Sequence, residues 1–253
     1  MRLDDAVVER TGVTRSHARS LIMAGRVRVN GRPMTKAGTS VGEGAVLEVQ
    51  RPRPYVSRGG EKLEAALAAF DVDARGKAAL DIGASTGGFT HCLLAHGVAH
   101  VVALDVGYGQ LAQRLREDPR VTVIERCNFR LLPRDALGRR FDIITIDTSF
   151  ISVRTMLERA LEFLMPFGDI AALVKPQFEA GRARLGGGGV VRDPAVHREI
   201  LMETIDAVVR MRAVPVAVMR SPLRGPSGNV EFFLHVRRDG RALETSALEA
   251  ALV

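Results

Sequence analysis

The run Ala78-Ala-Leu-Asp81-Ile-Gly83-Ala84-Ser85-Thr86-Gly87-Gly88-Phe89-Thr90 constrains this chain more than any other stretch. An apolar segment breaks into glycines and resumes as a helix-like sequence, which reads as a buried strand, a tight turn and a helix start. An α/β sheet presents a small ligand at its carboxyl edge in this way. A glycine turn can equally be a tight connection and nothing more, so its meaning depends on what else reaches the same edge.

The next strand supplies the first such residue. Val101-Val-Ala-Leu-Asp105 is apolar and ends in an acid 22 residues beyond Gly83. A carboxylate at that position can accept both hydroxyls of a nucleoside ribose. The turn itself is not a G-x-G-x-x-G pyrophosphate cradle. A glycine turn leading straight into Phe89-Thr90 suits the methionine tail of S-adenosylmethionine, which carries no diphosphate.

Strands and helices continue to alternate. Val121–Ile124, Phe141–Asp147 and Asp169–Lys175 read as further parallel strands, with a helix over 153–164 between the last two. A final pair is expected near Val214–Met219 and Glu231–Val236. The expectation is an α/β fold with a seven-stranded Rossmann-like methyltransferase sheet. Asp147 and Lys175 close neighbouring strands and so share the edge that carries the glycine turn. Asp147-Thr148-Ser149-Phe150 is not the Asn-Pro-Pro-Tyr type of motif used for amino nitrogen, and no Pro-Cys or Thr-Cys nucleophile is present. Cys92 and Cys127 lack metal or disulfide spacing and read as ordinary thiols of a reducing cytoplasm.

Charge is distributed unevenly. The net charge is +7, and residues 1–60 carry 11 Lys/Arg against 5 Asp/Glu, nearly all of the excess. That is the footprint of a module that tracks phosphates. Within residues 1–50 the sequence predicts a helix ending near Gly12, a second helix N-capped by Thr14, a strand Val27–Val29, a reversing turn at Asn30-Gly31 and a strand Ala45–Val49. Arg15 and Arg19 are four apart and share one helix face. Residues 51–60 read as a linker because of Pro52 and Pro54, and a helix over 61–70 opens a second domain, 61–253. The longest stretch without formal charge, Ile82–Leu104, contains four glycines and three histidines. That composition fits a turn and a helix, not a membrane span, and no secretory signal is visible after Met1.

Two resemblances follow from these residues. Arg2-Leu3-Asp4, Ser16-x-Ala18, Leu21-Ile22-x-x-Gly25-x-Val27-x-Val29-Asn30-Gly31 and Val41-x-x-Gly44 resemble the S4 RNA-binding domain. The whole chain resembles the TlyA family of S-adenosylmethionine-dependent rRNA 2′-O-methyltransferases, some of which carry the haemolysin label and whose catalytic domain is FtsJ-like. The matching runs include Ser57-Arg58-Gly59-Gly60-x-Lys62-Leu63, the glycine turn, Asp147-x-Ser149-Phe150-Ile151-Ser152, Val174-Lys175-Pro176-Gln177-Phe178-Glu179 and Gly225-Pro-Ser-Gly-Asn229-Val230-Glu231. Thr148 departs from the family pattern, in which an apolar residue is commoner.

The resemblance implies a catalytic tetrad of Lys62, Asp147, Lys175 and Glu231. It also implies a cofactor set of Asp81, Gly83, Ala84, Ser85, Thr86, Gly87, Gly88, Phe89, Asp105, Asn128 and Asp147, with S-adenosyl-L-methionine as donor. RNA contacts are expected from Arg2, Arg15, Arg19, Arg26, Arg28, Lys36 and Arg58. The implied activity is methylation of a cytidine 2′-hydroxyl in ribosomal RNA, with the large subunit favoured and the small subunit as the other candidate. A ribose hydroxyl is a very weak acid, so methyl transfer to it requires a base and an in-line approach. Lys175 is the candidate base, with the carboxylates orienting the two amines. The implied partners are ribosomal RNA or a ribosomal subunit, with no metal and no membrane, in the cytoplasm. A non-catalytic RNA-binding factor and a membrane-active haemolysin are the other readings. Gly186–Gly189 reads either as a mobile lid with Val190-Val191 or as a surface loop.

Overall fold

The computed structural model describes residues 1–50, 54–181 and 184–252. The chain divides into two units, Met1–Arg53 and Pro54–Val253. The first three residues of the expected linker, 51–53, lie outside the described residues, and its last three, Arg58 to Gly60, belong to the first helix of the second unit.

The first unit opens with α1 (Leu3–Thr11), which ends where Gly12 turns left-handed at φ 72°, and α2 (Arg15–Met23), whose first turn is capped by the Thr14 hydroxyl. These ends follow from glycine tolerating positive φ and from a short hydroxyl side chain accepting an orphan amide. The strand β1 (Val27–Val29) pairs antiparallel with both β2 (Arg32–Met34) and β3 (Leu47–Val49). Asn30 and Gly31 both have positive φ, at 52° and 75°. That is the backbone a two-residue hairpin turn requires. The sequence reading did not include β2, because Arg32-Pro-Met is too short and polar to show alternation. The closing strand begins at Leu47, two residues later than the expected Ala45. Leu3, Val7, Ala18, Leu21, Ile22 and Val27 form the core.

The second unit continues the chain with α3 (Arg58–Ala69), β4 (Ala78–Ile82), α4 (Gly88–Ala95), β5 (His100–Leu104), α5 (Gln113–Arg116), β6 (Val121–Ile124), β7 (Phe141–Ile146), α6 (Val153–Leu161), β8 (Leu164–Val174), α7 (Pro176–Glu179), α8 (Pro194–Arg210), β9 (Val214–Arg220), β10 (Phe232–Arg237) and α9 (Thr245–Leu252). Seven strands form one sheet in the order β6-β5-β4-β7-β8-β10-β9. β4 to β8 run parallel, while β10 is antiparallel to both of its neighbours. Every residue of β4 is buried, which explains why it reads as an apolar run broken only by Asp81. Two apolar layers cover the sheet. One joins it to α3 and α4, the other to α6, α8 and α9.

Three element ends of this unit differ from the sequence expectation by three residues or more. The helix expected from Glu61 begins at Arg58, because the Ser57 hydroxyl accepts from Gly59 N and caps it there. The fifth strand begins at Leu164, so the preceding helix stops at Leu161.

Candidate active site

The carboxyl edge of the sheet is assembled around Gly83. Ile82 pairs with Ile146 in register, so Gly83 lies beside Asp147, whose amide donates to Ile82 O at 2.9 Å. Gly83 has φ +85°, and a Cβ there would collide with the Asp147 carbonyl oxygen. Both the conformation and the close approach therefore require glycine. The turn continues through Ser85 at φ 48° into Gly87, which caps α4 at φ 91°.

Asp105 follows the last residue of β5. Its Oδ2 accepts from Ser85 N at 2.8 Å and its Oδ1 from Gly107 N at 2.6 Å. The acid therefore fixes the glycine turn, while its remaining lone pairs face the adjoining space. That space is a cavity of about 520 Å³, lined by Gly83, Ser85, Asp105, Asn128 and Asp147 among others. Leu104, Phe129, Ile151 and Met156 give it apolar walls.

The rest of the candidate cofactor set builds the cavity without lining it. Asp81 is fully buried, and its two oxygens accept from the hydroxyls of Thr90 at 2.6 Å and Thr145 at 2.9 Å. Burial pushes its carboxyl up to about 6. It ties β4 to α4 and β7 beneath the turn and has no surface to offer a ligand. A Cβ at Gly87 would meet the Leu115 side chain, and one at Gly88 would meet the Ser57 hydroxyl. Phe89 is buried against Phe233, with ring centroids 5.9 Å apart. Ala84 is buried, and Thr86 is exposed outside the cavity lining.

The four tetrad residues form two ion pairs. Lys62 Nζ donates to Glu231 Oε2 at 2.5 Å, with both residues buried, and among the described residues Glu231 Oε1 has no hydrogen-bond partner. Lys175 Nζ stands 2.6 Å from Asp147 Oδ1, an ion pair without hydrogen-bond alignment, and donates to the Ser149 hydroxyl at 3.3 Å. Sheet register links the pairs. Phe232 lies opposite Val174 in an antiparallel ladder, which makes Glu231 and Lys175 cross-strand neighbours just past its end.

Several participants were not among the sequence candidates. Ser149 shares the Lys175 ammonium, and Gln110 lines the cavity and accepts from the Ser85 hydroxyl at 3.3 Å. Phe150 stands at the cavity with 91% of its surface exposed and φ 64°, its ring 5.0 Å from that of Phe178. A solitary aromatic after Asp-Thr-Ser gives no periodic signal. Its positive φ in a bulky residue is the feature that marks it.

The basic candidates divide into two groups. Arg2, Arg15 and Arg19 all ion-pair with Asp4, at 2.9, 3.3 and 3.1 Å. Arg2 above all, with Arg19 and Arg15, holds the Asp4 carboxyl well below the usual carboxylate range against the opposing effect of burial. Arg15 and Arg19 therefore do share a face, and about half of each side chain stays exposed (52%). Arg28 and Lys36 are exposed, and Arg26 is half-buried. Arg58 is exposed at the first turn of α3 in the other unit. Gly186–Gly189 is anchored by Asn229, whose Nδ2 donates to Gly189 O at 3.2 Å and whose Oδ1 accepts from Val191 N at 3.0 Å.

Comparison with known proteins adds the following. Residues 55–238 match the FtsJ-like methyltransferase family and residues 1–47 match the S4 domain. The chain is 47% identical to the Mycobacterium tuberculosis protein named 16S/23S rRNA (cytidine-2′-O)-methyltransferase TlyA, over 98% of this chain and 94% of that one. It is 40% identical to Hemolysin A of Brachyspira hyodysenteriae, over 93% of this chain and 99% of that one. A solved Streptococcus thermophilus structure with a hemolysin name superposes at a TM-score of 0.77 with 36% identity, covering 100% of this chain and 94% of that one. Among the described residues no helix is long and apolar enough to cross a membrane.

Proposed function

The chain belongs to the TlyA family, which joins an S4 domain to an FtsJ-like methyltransferase domain, and on that footing we propose that it methylates the 2′-hydroxyl of a cytidine in ribosomal RNA. The observation that carries the reading is the coupling of two lysine–carboxylate pairs at the sheet edge to a cavity of about 520 Å³.

The cavity residues fit S-adenosylmethionine. Asp105 offers acceptors to a ribose, the glycine at position 83 keeps the floor free of a Cβ, and the apolar walls suit an adenine ring. When bound there, the donor supplies an electrophilic methyl on a sulfonium. Asp147 orients the Lys175 amine toward the cavity, and Ser149 gives it a second anchor. In its neutral form Lys175 accepts the proton that leaves the ribose hydroxyl as its oxygen takes the methyl. Lys62, held by Glu231, supplies positive charge beside the developing oxyanion. The exposed Phe150 ring offers a face on which a base can stack. Arg15, Arg19, Arg28 and Lys36 of the first unit meet RNA phosphates, which position the substrate without reading its sequence.

Mapping of ribose methylation in both rRNAs, from cells lacking the gene and from their complemented partners, tests this reading. A cytidine 2′-O-methyl that disappears and returns supports it. Identical maps in the two strains contradict it. Liposome leakage by purified protein, without any methyl transfer to RNA, would favour the membrane-active reading suggested by the relatives' haemolysin names.

A further inference from the structure

A second cavity, of about 380 Å³, opens on the other face of the start of β10. Val230 and Phe232 line it. Glu231, between them, points the opposite way to Lys62, as strand alternation requires. The cavity and the tetrad thus share one short segment of chain.

The cavity is basic. Among the described residues its lining includes Arg192, Arg220, Arg224 and the hydroxyl of Ser227, and it contains no acid. The nearby carboxylate of Asp193 is committed to capping α8, accepting from Ala195 N at 2.9 Å. Other arginines of this unit, such as Arg116, Arg120 and Arg154, are ion-paired with carboxylates. Arg192 and Arg224 have no such pair among the described residues. His197, buried in the wall with Nε2 3.0 Å from Val191 O, adds no competing negative charge.

The wall is also preformed. Ser221 N donates to Glu231 O at 2.8 Å, Gly225 N to Asn229 O at 2.9 Å, and Gly228 N to Gly225 O at 2.9 Å. Arg224 Nη1 donates to Gly228 O at 3.1 Å, which directs its side chain along the loop. Asn229, only 2% exposed, ties the loop to Val191 and Gly189. A fixed pocket with two unneutralised guanidiniums and a hydroxyl matches a phosphate, which guanidinium forks bind by paired hydrogen bonds.

We propose that this cavity holds a backbone phosphate of the substrate RNA close to the nucleotide whose ribose reaches the lysines, with Arg192, Arg224 and Ser227 as donors. The proposal rests on the reading of the chain as an RNA ribose methyltransferase. A strand crossing the sheet edge would then be gripped on one face of β10 and modified on the other.

The test is RNA binding by the full-length protein carrying Arg192→Ala and Arg224→Ala together, with an unmodified rRNA transcript as probe and salt as the variable. Affinity is expected to fall about tenfold, and the slope of log affinity against log salt to become shallower by about 0.7 for each lost contact. S-adenosylmethionine affinity and melting temperature stay at wild-type values, and Arg224→Lys, which keeps the charge but loses the fork, binds more tightly than Arg224→Ala and less tightly than the wild type. Wild-type RNA affinity and salt slope in the double variant would overturn the proposal. So would inorganic phosphate binding that the double variant loses while its RNA binding is intact, which would assign the cavity to a free anion. If the wild type binds RNA but never methylates a ribose, the proposed function fails instead. Unchanged RNA binding in the double variant removes only the phosphate site.

Discussion

The two lysine–carboxylate pairs reach the same edge of one sheet, and they are built differently. Lys62 and Glu231 have side-chain exposures of 9% and 1%, and their contact joins α3 to the residue before β10. Asp147, at 24%, lines the cavity together with Ser149, and the Lys175 ammonium, at 11%, is shared between the two. A desolvated pair holds its geometry because neither charge has another partner within reach. A half-open pair can exchange its partner for a substrate. On the proposed reading the open pair therefore moves the proton, while the closed pair holds a fixed positive charge beside it.

The largest expected effect comes from breaking the open pair. Lys175→Ala should lower turnover by about 100- to 10,000-fold, the usual worth of a positioned acid–base group, with little change in melting temperature. Breaking the closed pair should instead appear as instability. Lys62→Met leaves a buried carboxylate without its cation and should cost about 3–5 kcal/mol in urea unfolding. Removing both charges with Lys62→Met and Glu231→Met should recover most of that stability and none of the activity. Recovery in the double variant is what separates a desolvation penalty from a packing defect.

Asp81 sharpens the comparison as a buried acid with no cation paired to it among the described residues. Its carboxyl is raised to about 6 by burial, so the folded state holds this proton more tightly than the unfolded chain does. The stability linked to it is fully present below about pH 4 and is lost as pH rises through 6. Each pH unit between the unfolded and folded values is worth about 1.36 kcal/mol, so wild-type stability relative to Asp81→Asn should fall by about 2–3 kcal/mol between pH 4 and pH 7. Denaturant melts of the two proteins across that range check the sign. The smallest effect is expected at Gly225, where an added Cβ would press on Glu231 Oε1. Gly225→Ala should displace that carboxylate and cost about tenfold in turnover, about 1.4 kcal/mol on the barrier, with S-adenosylmethionine affinity unchanged.

The same contrast explains what was legible in the sequence. Asp105, Asp147 and Lys175 could be read because each follows an apolar strand, and parallel strands deliver their ends to one edge. The strands themselves stood out because sheet burial on both faces leaves mostly apolar runs, such as Val101–Leu104, or Ala78–Ile82 with its single buried acid. Lys62 and Glu231 are separated by 169 residues. No spacing rule connects a helix lysine to the residue before an antiparallel strand, and only the family resemblance pointed to them. The burial of Asp81 was not legible for a related reason. It sits just before the glycine turn, but its partner Thr145 is 64 residues away on another strand. In the first unit the shared face of Arg15 and Arg19 followed from helical spacing, whereas the buried Asp4 that collects both of them with Arg2 did not.

Single-turnover methyl transfer from labelled S-adenosylmethionine into an rRNA transcript, with ribose mapping of the product, tests the central claim most directly when wild type and Lys175→Ala are run side by side after matched binding measurements. The account predicts that both proteins bind donor and RNA alike, that the wild type places the label on a cytidine 2′-oxygen, and that the variant places none there at the same time points. Ribose methylation by Lys175→Ala within about threefold of the wild-type rate, a difference of about 0.6 kcal/mol on the barrier, would contradict it.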